Sequence, residues 1–296
     1  MSPIKNVMHV GAAGNLGPAV LNALKANPGF NVTVLSRKDS KNPPSGVKVV
    51  TADYSSHEDL VSAFKGQDAV VSTVGAPGLG EQTKLVDAAI EAGVKYFIPS
   101  EFGGNTSNDK TGKLAVFGKK VATCKYLKEK ASEGKINYIA INNGPFLDWG
   151  LKVGFLGLNA AEKKATLYDG GSVPFSTTTL ASIGQSVVAV LSNPDKFKNQ
   201  VIYVHSTVTT QRNLLDCFEK HTGVKWTIEE KSTADVEKET NAKLAQGDFS
   251  TIWKLIYRSL WGEGYGGKFE DVKNEELGIK ELSKEDIEEL VKGLCN

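Results

Sequence analysis

The chain has 296 residues, with 35 lysines and arginines against 34 aspartates and glutamates, so its formal net charge is +1. This balance argues against binding to nucleic acids or anionic membranes, which depends on clustered positive charge. Hydrophobic residues make up 40% of the chain, which is too apolar for disorder, and no apolar run reaches the roughly 18 residues of a membrane span.

The first predicted elements are a strand over 4–10, a glycine-rich turn, and a helix over 18–26 that opens with a proline. Glycines let the backbone approach a pyrophosphate, and a helix N-terminus offers it free N–H groups. The glycine spacing alone is a weak signal, but its position directly after a first strand favours a dinucleotide site over an ordinary turn. The predicted cofactor-binding residues here are Gly11, Ala12, Ala13, Gly14, Asn15, Leu16 and Gly17.

The second predicted strand, over 31–36, ends at Arg37. An acidic residue commonly holds the ribose 2′-hydroxyl of NAD about 20 residues after the glycines, and here that position carries a cation. A guanidinium suits a 2′-phosphate, so we expect NADPH/NADP+. Lys38 is a second candidate contact, with Lys41 as its alternative, and a solvated basic turn is the competing interpretation.

Strands are predicted over 47–52, 69–74 and 96–100, alternating with helices. This alternation predicts an α/β, Rossmann-type, doubly wound parallel sheet. Asp53, at the end of the third strand, could contact the adenine or simply cap the next helix. Thr73, Val74 and Gly75 end the fourth strand at the edge where cofactors bind, so we expect them to line the cofactor's ribose side.

A helix predicted over about 113–133 carries one lysine, Lys120, on the same narrow face as Val116, Cys124 and Leu127. This face should point towards the sheet. Burial lowers the pKa of a lysine into the range where it exchanges protons near neutrality. The alternatives are a lysine whose stem packs while its amine reaches water, and one paired with a carboxylate.

Several segments carry a family resemblance: Gly11–Gly17, Ser36–Lys38, Tyr96–Gly104, Lys120–Leu127 and Ile141–Leu151. Together they resemble the NmrA-like/isoflavone reductase-like family of atypical short-chain dehydrogenases/reductases, and the fungal members more than the plant ones. The resemblance implies NADPH in the groove and Lys120 at the position of the family's catalytic lysine. It also implies that Phe102 and the loop containing Asn143, Pro145 and Phe146 border the nicotinamide.

Ordinary short-chain dehydrogenases use a Tyr-x-x-x-Lys pair, which Tyr126 and Lys130 match. Because these residues lie off the Lys120 face, we interpret Tyr126 as structural. The histidines are scattered, His9 is expected in the core, and no metal site is predicted.

We expect a cofactor-binding domain over 1–150 and a smaller substrate-binding region over 151–296, with about 179–206 returning to the main sheet. Helices are predicted over 179–191, 212–221 and 244–260, and from 283. The four tryptophans lie at or beyond Trp149 and are expected mainly in the core, and 261–267 has the flexibility of a lid.

These observations predict an NADPH-dependent reductase acting on a small aromatic or phenolic molecule, with Lys120 as general acid or base. The alternative is an NADP(H)-binding redox sensor without turnover. Direct entry into a strand leaves no room for a signal peptide, and three widely spaced cysteines suggest reduced thiols, so a cytoplasmic location is expected.

Overall fold

The computed structural model describes residues 3–38, 40 and 44–295. The chain forms two compact units whose segments alternate along the sequence. The first unit consists of the chain up to Phe102 together with Lys119–Asn142 and Leu180–Ile202, and the second of Gly103–Gly118, Asn143–Thr179 and the chain from Tyr203. The sequence analysis placed a boundary near residue 150 and expected about 179–206 to return to the main sheet; in the structure Leu180–Ile202 belongs to the first unit.

The elements are numbered in chain order within the described residues. The strands β1 to β12 are Asn6–Val10, Asn31–Arg37, Lys48–Ala52, Ala69–Ser72, Tyr96–Ile98, Asn137–Asn142, Leu158–Asn159, Lys164–Tyr168, Phe175–Thr177, Gln200–Tyr203, Thr207–Thr209 and Thr227–Lys231. The helices α1 to α11 are Gly17–Ala26, His57–Phe64, Gln82–Glu91, Gly118–Ser132, Leu147–Lys152, Leu180–Ser192, Gln211–Thr222, Thr233–Ala245, Leu255–Trp261, Asn274–Leu277 and Lys284–Gly293.

The first unit is built on a seven-stranded sheet with the order β10-β6-β5-β4-β1-β2-β3. Neighbouring strands in the part of the sheet ordered β6-β5-β4-β1-β2-β3 all pair in parallel. After β1 the chain forms β2 and β3 on one side and then crosses to β4 on the other. This reversal between β1 and β4 confirms the predicted Rossmann-type sheet and creates the crevice in which such sheets bind ligands.

Helices cover both faces of this sheet. Against one face, α2, α3 and α4 bury apolar residues that include Phe64, Leu85 and Leu127 with the strand residues Met8 and Phe97. On the other, α1 and α6 approach closely, since a methyl group on Gly184 of α6 would lie 2.8 Å from the Ala19 carbonyl oxygen of α1. Strands buried on both sides explain the continuous apolar runs in the sequence.

The second unit contains a three-stranded sheet, β12-β8-β7, and an antiparallel pair, β9 and β11. Its core is aromatic: Trp261 stacks on Tyr168 with ring centroids 5.0 Å apart, and Phe175 meets Trp261 edge-on. Trp226 and Trp261 are buried, as expected of core residues, whereas Trp253 is 41% exposed.

Two predicted helices have different bounds. The helix predicted over 244–260 is wrong as a single element, because α8 ends at Ala245 and α9 begins at Leu255. Gly247 adopts a left-handed φ of +79° between them, which breaks the helix. The helix that carries Lys120 begins at Gly118, after two short 3₁₀ turns. The final helix begins after Ser283 with a capping box, which confirms its predicted start.

Candidate functional site

The turn between β1 and α1 needs its three glycines for different reasons. A methyl group on Gly11 would lie 2.7 Å from the Thr73 carbonyl carbon, and one on Gly17 would lie 2.4 Å from that of Ala12. Both positions are therefore closed to a side chain by neighbouring backbone. A methyl on Gly14 would meet nothing closer than 3.5 Å, so this glycine leaves open space above the turn. The turn is a cradle that a ligand can approach.

Helix α1 adds to this cradle. Its N-cap residue, Leu16, provides no side-chain cap, and no acidic residue lies in the first turn. Pro18 stands in that first turn, where its missing N–H removes no helix hydrogen bond. The Ala19 N–H already donates to the Leu16 carbonyl at 3.1 Å, so it is the positive end of the helix dipole, with no acidic side chain beside it, that suits an anionic ligand.

The cradle opens into a groove of about 590 Å³ at the carboxyl end of the parallel strands. Of the predicted site residues, the lining includes Gly11 to Gly14, Arg37, Val74 and Gly75. The remaining lining residues are Val34, Leu35, Ser36, Ser40, Pro44, Tyr54, Ser55, Pro77, Gly78, Glu81, Lys84 and Leu85. A volume of this size is typical of small-molecule and cofactor sites.

The predicted cations have separate surroundings. Arg37 is the last residue of β2, is exposed and lines the groove. Lys38 instead lies 2.6 Å from the carboxylate of Asp59, and this hydrogen bond raises the pKa of Lys38. Lys41, the alternative second contact, lies outside the described residues. Contact of Arg37 or Lys38 with a cofactor stays a prediction.

Asp53 forms a local turn and does not cap the next helix, whose N-cap is Ser56. Its contact with an adenine stays a prediction. Its carboxylate accepts hydrogen bonds from the backbone N–H of Ser55 at 2.8 Å and from its hydroxyl at 2.6 Å, and these bonds lower the pKa of Asp53. The next residue, Tyr54, lines the groove and donates from its hydroxyl to the Leu35 carbonyl at 3.2 Å. Sequence analysis missed Tyr54 because the exit of β3, not a motif, turns its ring into the groove.

Thr73 fixes the strand ends beneath the groove. Its hydroxyl lies within hydrogen-bond distance of the carbonyls of Val10 and Gly11, at 3.2 and 3.1 Å. His9 Nε2 lies 2.9 Å from the same hydroxyl. His9 is buried, as the sequence analysis expected, and burial lowers its pKa to about 3, so the ring is neutral. Thr73 therefore ties β4 to the glycine turn.

Lys120 lies on α4 next to the end of β5. Its side chain is partly buried, and its amine donates to the backbone carbonyl of Glu101. Ser100, the residue before Glu101, donates from its hydroxyl to the carbonyl of the groove residue Val74 at 2.8 Å. The segment after β5, through Glu101 and Ser100, thus connects the Lys120 amine to the lining of the groove. Burial lowers the pKa of the Lys120 amine, and the nearby Glu101 carboxylate opposes that change.

Phe102, the residue after Glu101, has a backbone conformation that is rare for residues other than glycine. Its φ is +27°, its side chain is buried, and its backbone N–H donates to the Ile141 carbonyl at 2.9 Å. Strained backbone of this kind is concentrated at functional sites. Its predicted place beside a nicotinamide stays a prediction.

The loop with Asn143, Pro145 and Phe146 belongs to the second unit. The Asn143 side chain donates to the Gly144 carbonyl at 2.7 Å, and the Pro145 carbonyl accepts from the Thr177 hydroxyl at 2.8 Å. Phe146 meets Trp149 edge-on, with ring centroids 6.2 Å apart. These bonds hold the loop in one conformation, and its cofactor role stays a prediction.

Tyr126 donates its hydroxyl to Asp87 of α3, and Lys130 lies 5.0 Å from the centre of its ring. Both contacts are local to the outer side of α4. In the part of the chain that the structure describes, no group of three or more His, Cys, Asp or Glu side chains could hold a metal ion, and no helix is long and apolar enough to cross a membrane.

Comparison with known proteins identifies the family to which this chain belongs. The model of the NmrA-like family matches residues 3–247. An oxidoreductase of Aspergillus flavus, aprR, is 34% identical over 289 residues, covering 96% of this chain and 97% of its own. An isoflavone reductase homolog of Zea mays is 31% identical over 237 residues, covering 73% of this chain and 74% of its own.

Solved structures share the fold. A complex titled AtPrR2 with NADP+ and (+)pinoresinol superimposes with a TM-score of 0.78 at 23% identity, covering 99% of each chain. The binary complex of leucoanthocyanidin reductase with NADPH from Vitis vinifera gives a TM-score of 0.79 at 19% identity, covering 97% of this chain and 99% of its own. From the family match and the relatives' coverage, the chain belongs to the NmrA-like, isoflavone reductase-like family.

Proposed function

We propose that this protein is an NADPH-dependent reductase of small aromatic molecules, in which Lys120 handles the proton that accompanies reduction. The observation that carries the proposal is the position of the Lys120 amine. It is partly buried, held on the Glu101 carbonyl and connected through Ser100 to the groove residue Val74. The oxidoreductase names of relatives that match over most of the chain support the reaction class.

The groove fits NADPH. Gly14 leaves the space that a pyrophosphate needs, and the start of α1 directs the positive end of its helix dipole towards it. Arg37 offers a planar cation for the 2′-phosphate at the other end of the lining. NADPH supplies a hydride when it is bound. The family's NADP-containing neighbours, such as the AtPrR2 complex, agree with this choice of cofactor.

Lys120 is suited to move a proton because burial lowers the pKa of its amine. A lysine with an ordinary pKa stays protonated at neutral pH, whereas a lowered pKa allows it both to give and to regain a proton. The Glu101 carbonyl fixes the amine's position, so the proton is delivered from a defined point. After donation, water can return a proton to the neutral amine.

The substrate class follows from aromatic side chains and from the relatives. In the second unit, Phe155 lies 5.7 Å from Trp149 and 6.2 Å from Trp253, and Trp253 is 41% exposed. Exposed rings of this kind stack well on planar aromatic molecules. Relatives with shorter matches are named eugenol synthase and phenylcoumaran benzylic ether reductase, and eugenol and phenylcoumarans are aromatic compounds.

The test is NADPH oxidation, followed by absorbance, with a panel of phenolic enones, benzylic ethers and ketones. Lys120→Ala should keep its affinity for NADPH within about twofold and lose roughly 100-fold or more in kcat, the usual contribution of a general acid or base. Lys119→Ala, which removes the neighbouring exposed lysine, is the matched control and should retain activity. Unchanged turnover in Lys120→Ala would refute the assignment, and tight NADPH binding without any turnover would favour a redox sensor.

A further inference from the structure

Glu101 is the only aspartate or glutamate among the buried residues of the described chain, at 1% exposure. Burying a carboxylate is unfavourable unless charged or hydrogen-bonding groups accompany it. An acidic side chain in the interior, three residues after the end of β5 and next to Ser100, whose hydroxyl donates to the Val74 carbonyl of the groove, therefore needs a physical explanation.

Helix α4 provides the groups that accompany it. Lys120 and Cys124 are four residues apart, so their side chains lie on the same helix face. The Lys120 amine donates to the Glu101 backbone carbonyl, and its charge lies close enough to interact with the Glu101 carboxylate. Cys124 is 9% exposed, and the Glu101 carboxylate lies close enough to influence its thiol.

The Cys124 thiol is neutral. Burial raises the pKa of Cys124, and the Glu101 carboxylate raises it further, so the sulfur keeps its proton. Around this group lie two other titratable side chains of the first unit, Lys128 on α4 and Tyr138 on β6, both of which interact with Cys124. Cys124 therefore stabilises the carboxylate without adding a charge.

We propose that Glu101 is a positioning residue for Lys120: its carbonyl holds the amine in place, while its buried carboxylate, on the side of Cys124, favours the charged form of that amine. The consequence for catalysis rests on the proposed function of Lys120. Two opposing effects act on the amine, because burial lowers the pKa of Lys120 and the carboxylate raises it. Without Glu101, a partly buried amine would lose its proton at a lower pH.

The first test measures the protonation of the Lys120 amine directly. Acetic anhydride acetylates neutral amines, so the labelling rate of Lys120 against pH, followed by mass spectrometry, reports its protonation, with Lys119 as an internal reference. Glu101→Gln keeps the backbone carbonyl and removes the charge. An opposite charge nearby shifts a pKa by roughly one to three pH units, so the labelling midpoint of Lys120 should fall by at least about one pH unit.

The second test measures kcat as a function of pH. If Lys120 donates the proton, the basic limb of the kcat profile should move to lower pH in Glu101→Gln by a similar amount, with the Kd for NADPH unchanged. Asp87→Asn is the matched control, since it also removes a carboxylate that contacts α4, through Tyr126. It should move neither the limb nor the midpoint.

Glu101→Asp retracts the carboxylate by one methylene and should shift the labelling midpoint in the same direction by less, which keeps the proposal testable if the glutamine variant does not fold. A midpoint that stays at the wild-type pH in both variants would overturn the proposal. A midpoint that moves while Lys120→Ala retains full turnover would support the role of Glu101 and refute the proposed function.

Discussion

Gly14 and Gly17 provide a paired test of how the glycine turn is built. A methyl group on Gly17 would lie 2.4 Å from the carbonyl carbon and oxygen of Ala12 and 2.5 Å from the Gly11 oxygen. These neighbours are backbone atoms, which cannot move aside as a flexible side chain would. We therefore expect Gly17→Ala to destabilise the protein by about 3 kcal/mol, at the upper end of the usual cost of overpacking.

Gly14→Ala should behave differently. Its new methyl group would approach nothing closer than 3.5 Å, which is ordinary van der Waals contact, so the stability of the protein without cofactor should change by less than about 1 kcal/mol. The methyl group would enter the space above the cradle. The affinity for NADPH should therefore fall about tenfold or more, which corresponds to about 1.4 kcal/mol.

The assay combines thermal unfolding of the cofactor-free protein with NADPH binding followed by nucleotide fluorescence. At about 2–4 °C per kcal/mol, Gly17→Ala should lower Tm by roughly 6–12 °C, while Gly14→Ala should leave it nearly unchanged. Equal losses of Tm in the two variants would refute the distinction. So would a Gly14→Ala protein that binds NADPH as tightly as the wild type.

Two further predictions concern the cofactor's phosphate and the buried histidine. Arg37→Ala should weaken NADPH roughly 10- to 100-fold in a titration and NADH much less, because a charge-assisted hydrogen bond contributes about 1.5–3 kcal/mol; equal weakening would mean that Arg37 does not hold the 2′-phosphate. The pKa of His9 is about 3 in the folded protein, against 6.5 ordinarily. Below about pH 6.5 the unfolded chain binds a proton that the folded chain does not, so the free energy of unfolding should decrease towards pH 3 by up to about 1.4 kcal/mol per pH unit. Urea unfolding at pH 6.5, 5.5 and 4.5 should show a shallower decrease in His9→Gln, and parallel slopes would contradict the neutral, buried ring.

The sequence was sufficient to predict the Rossmann-type sheet and the glycine turn, because both depend on local patterns. Arg37 was placed at the groove by its position at the end of a strand. The partners of the neighbouring candidates could not be predicted in the same way: Lys38 pairs with Asp59 and Asp53 with Ser55. Such local pairs compete with a ligand and depend on side-chain directions that no motif encodes.

The contacts of Lys120 illustrate what could not be predicted. The helical wheel placed Lys120 on the face towards the sheet, but not beside the Glu101 carbonyl. That contact depends on the position of α4 along β5, which is determined by packing between segments that are distant in the sequence. The same applies to Tyr54, whose ring direction follows from the path of the chain after β3.

The alternating segments of the two units bear on how the cofactor-binding part could be produced alone. A fragment ending at residue 150 would lack β10, the edge strand of the seven-stranded sheet, and α6, which packs on α1 through Gly184. It would expose the free hydrogen-bonding edge of β6 and an apolar face of α1, both of which promote aggregation. A truncated form that stays folded must therefore retain Leu180–Ile202, joined to Asn142 by a designed linker.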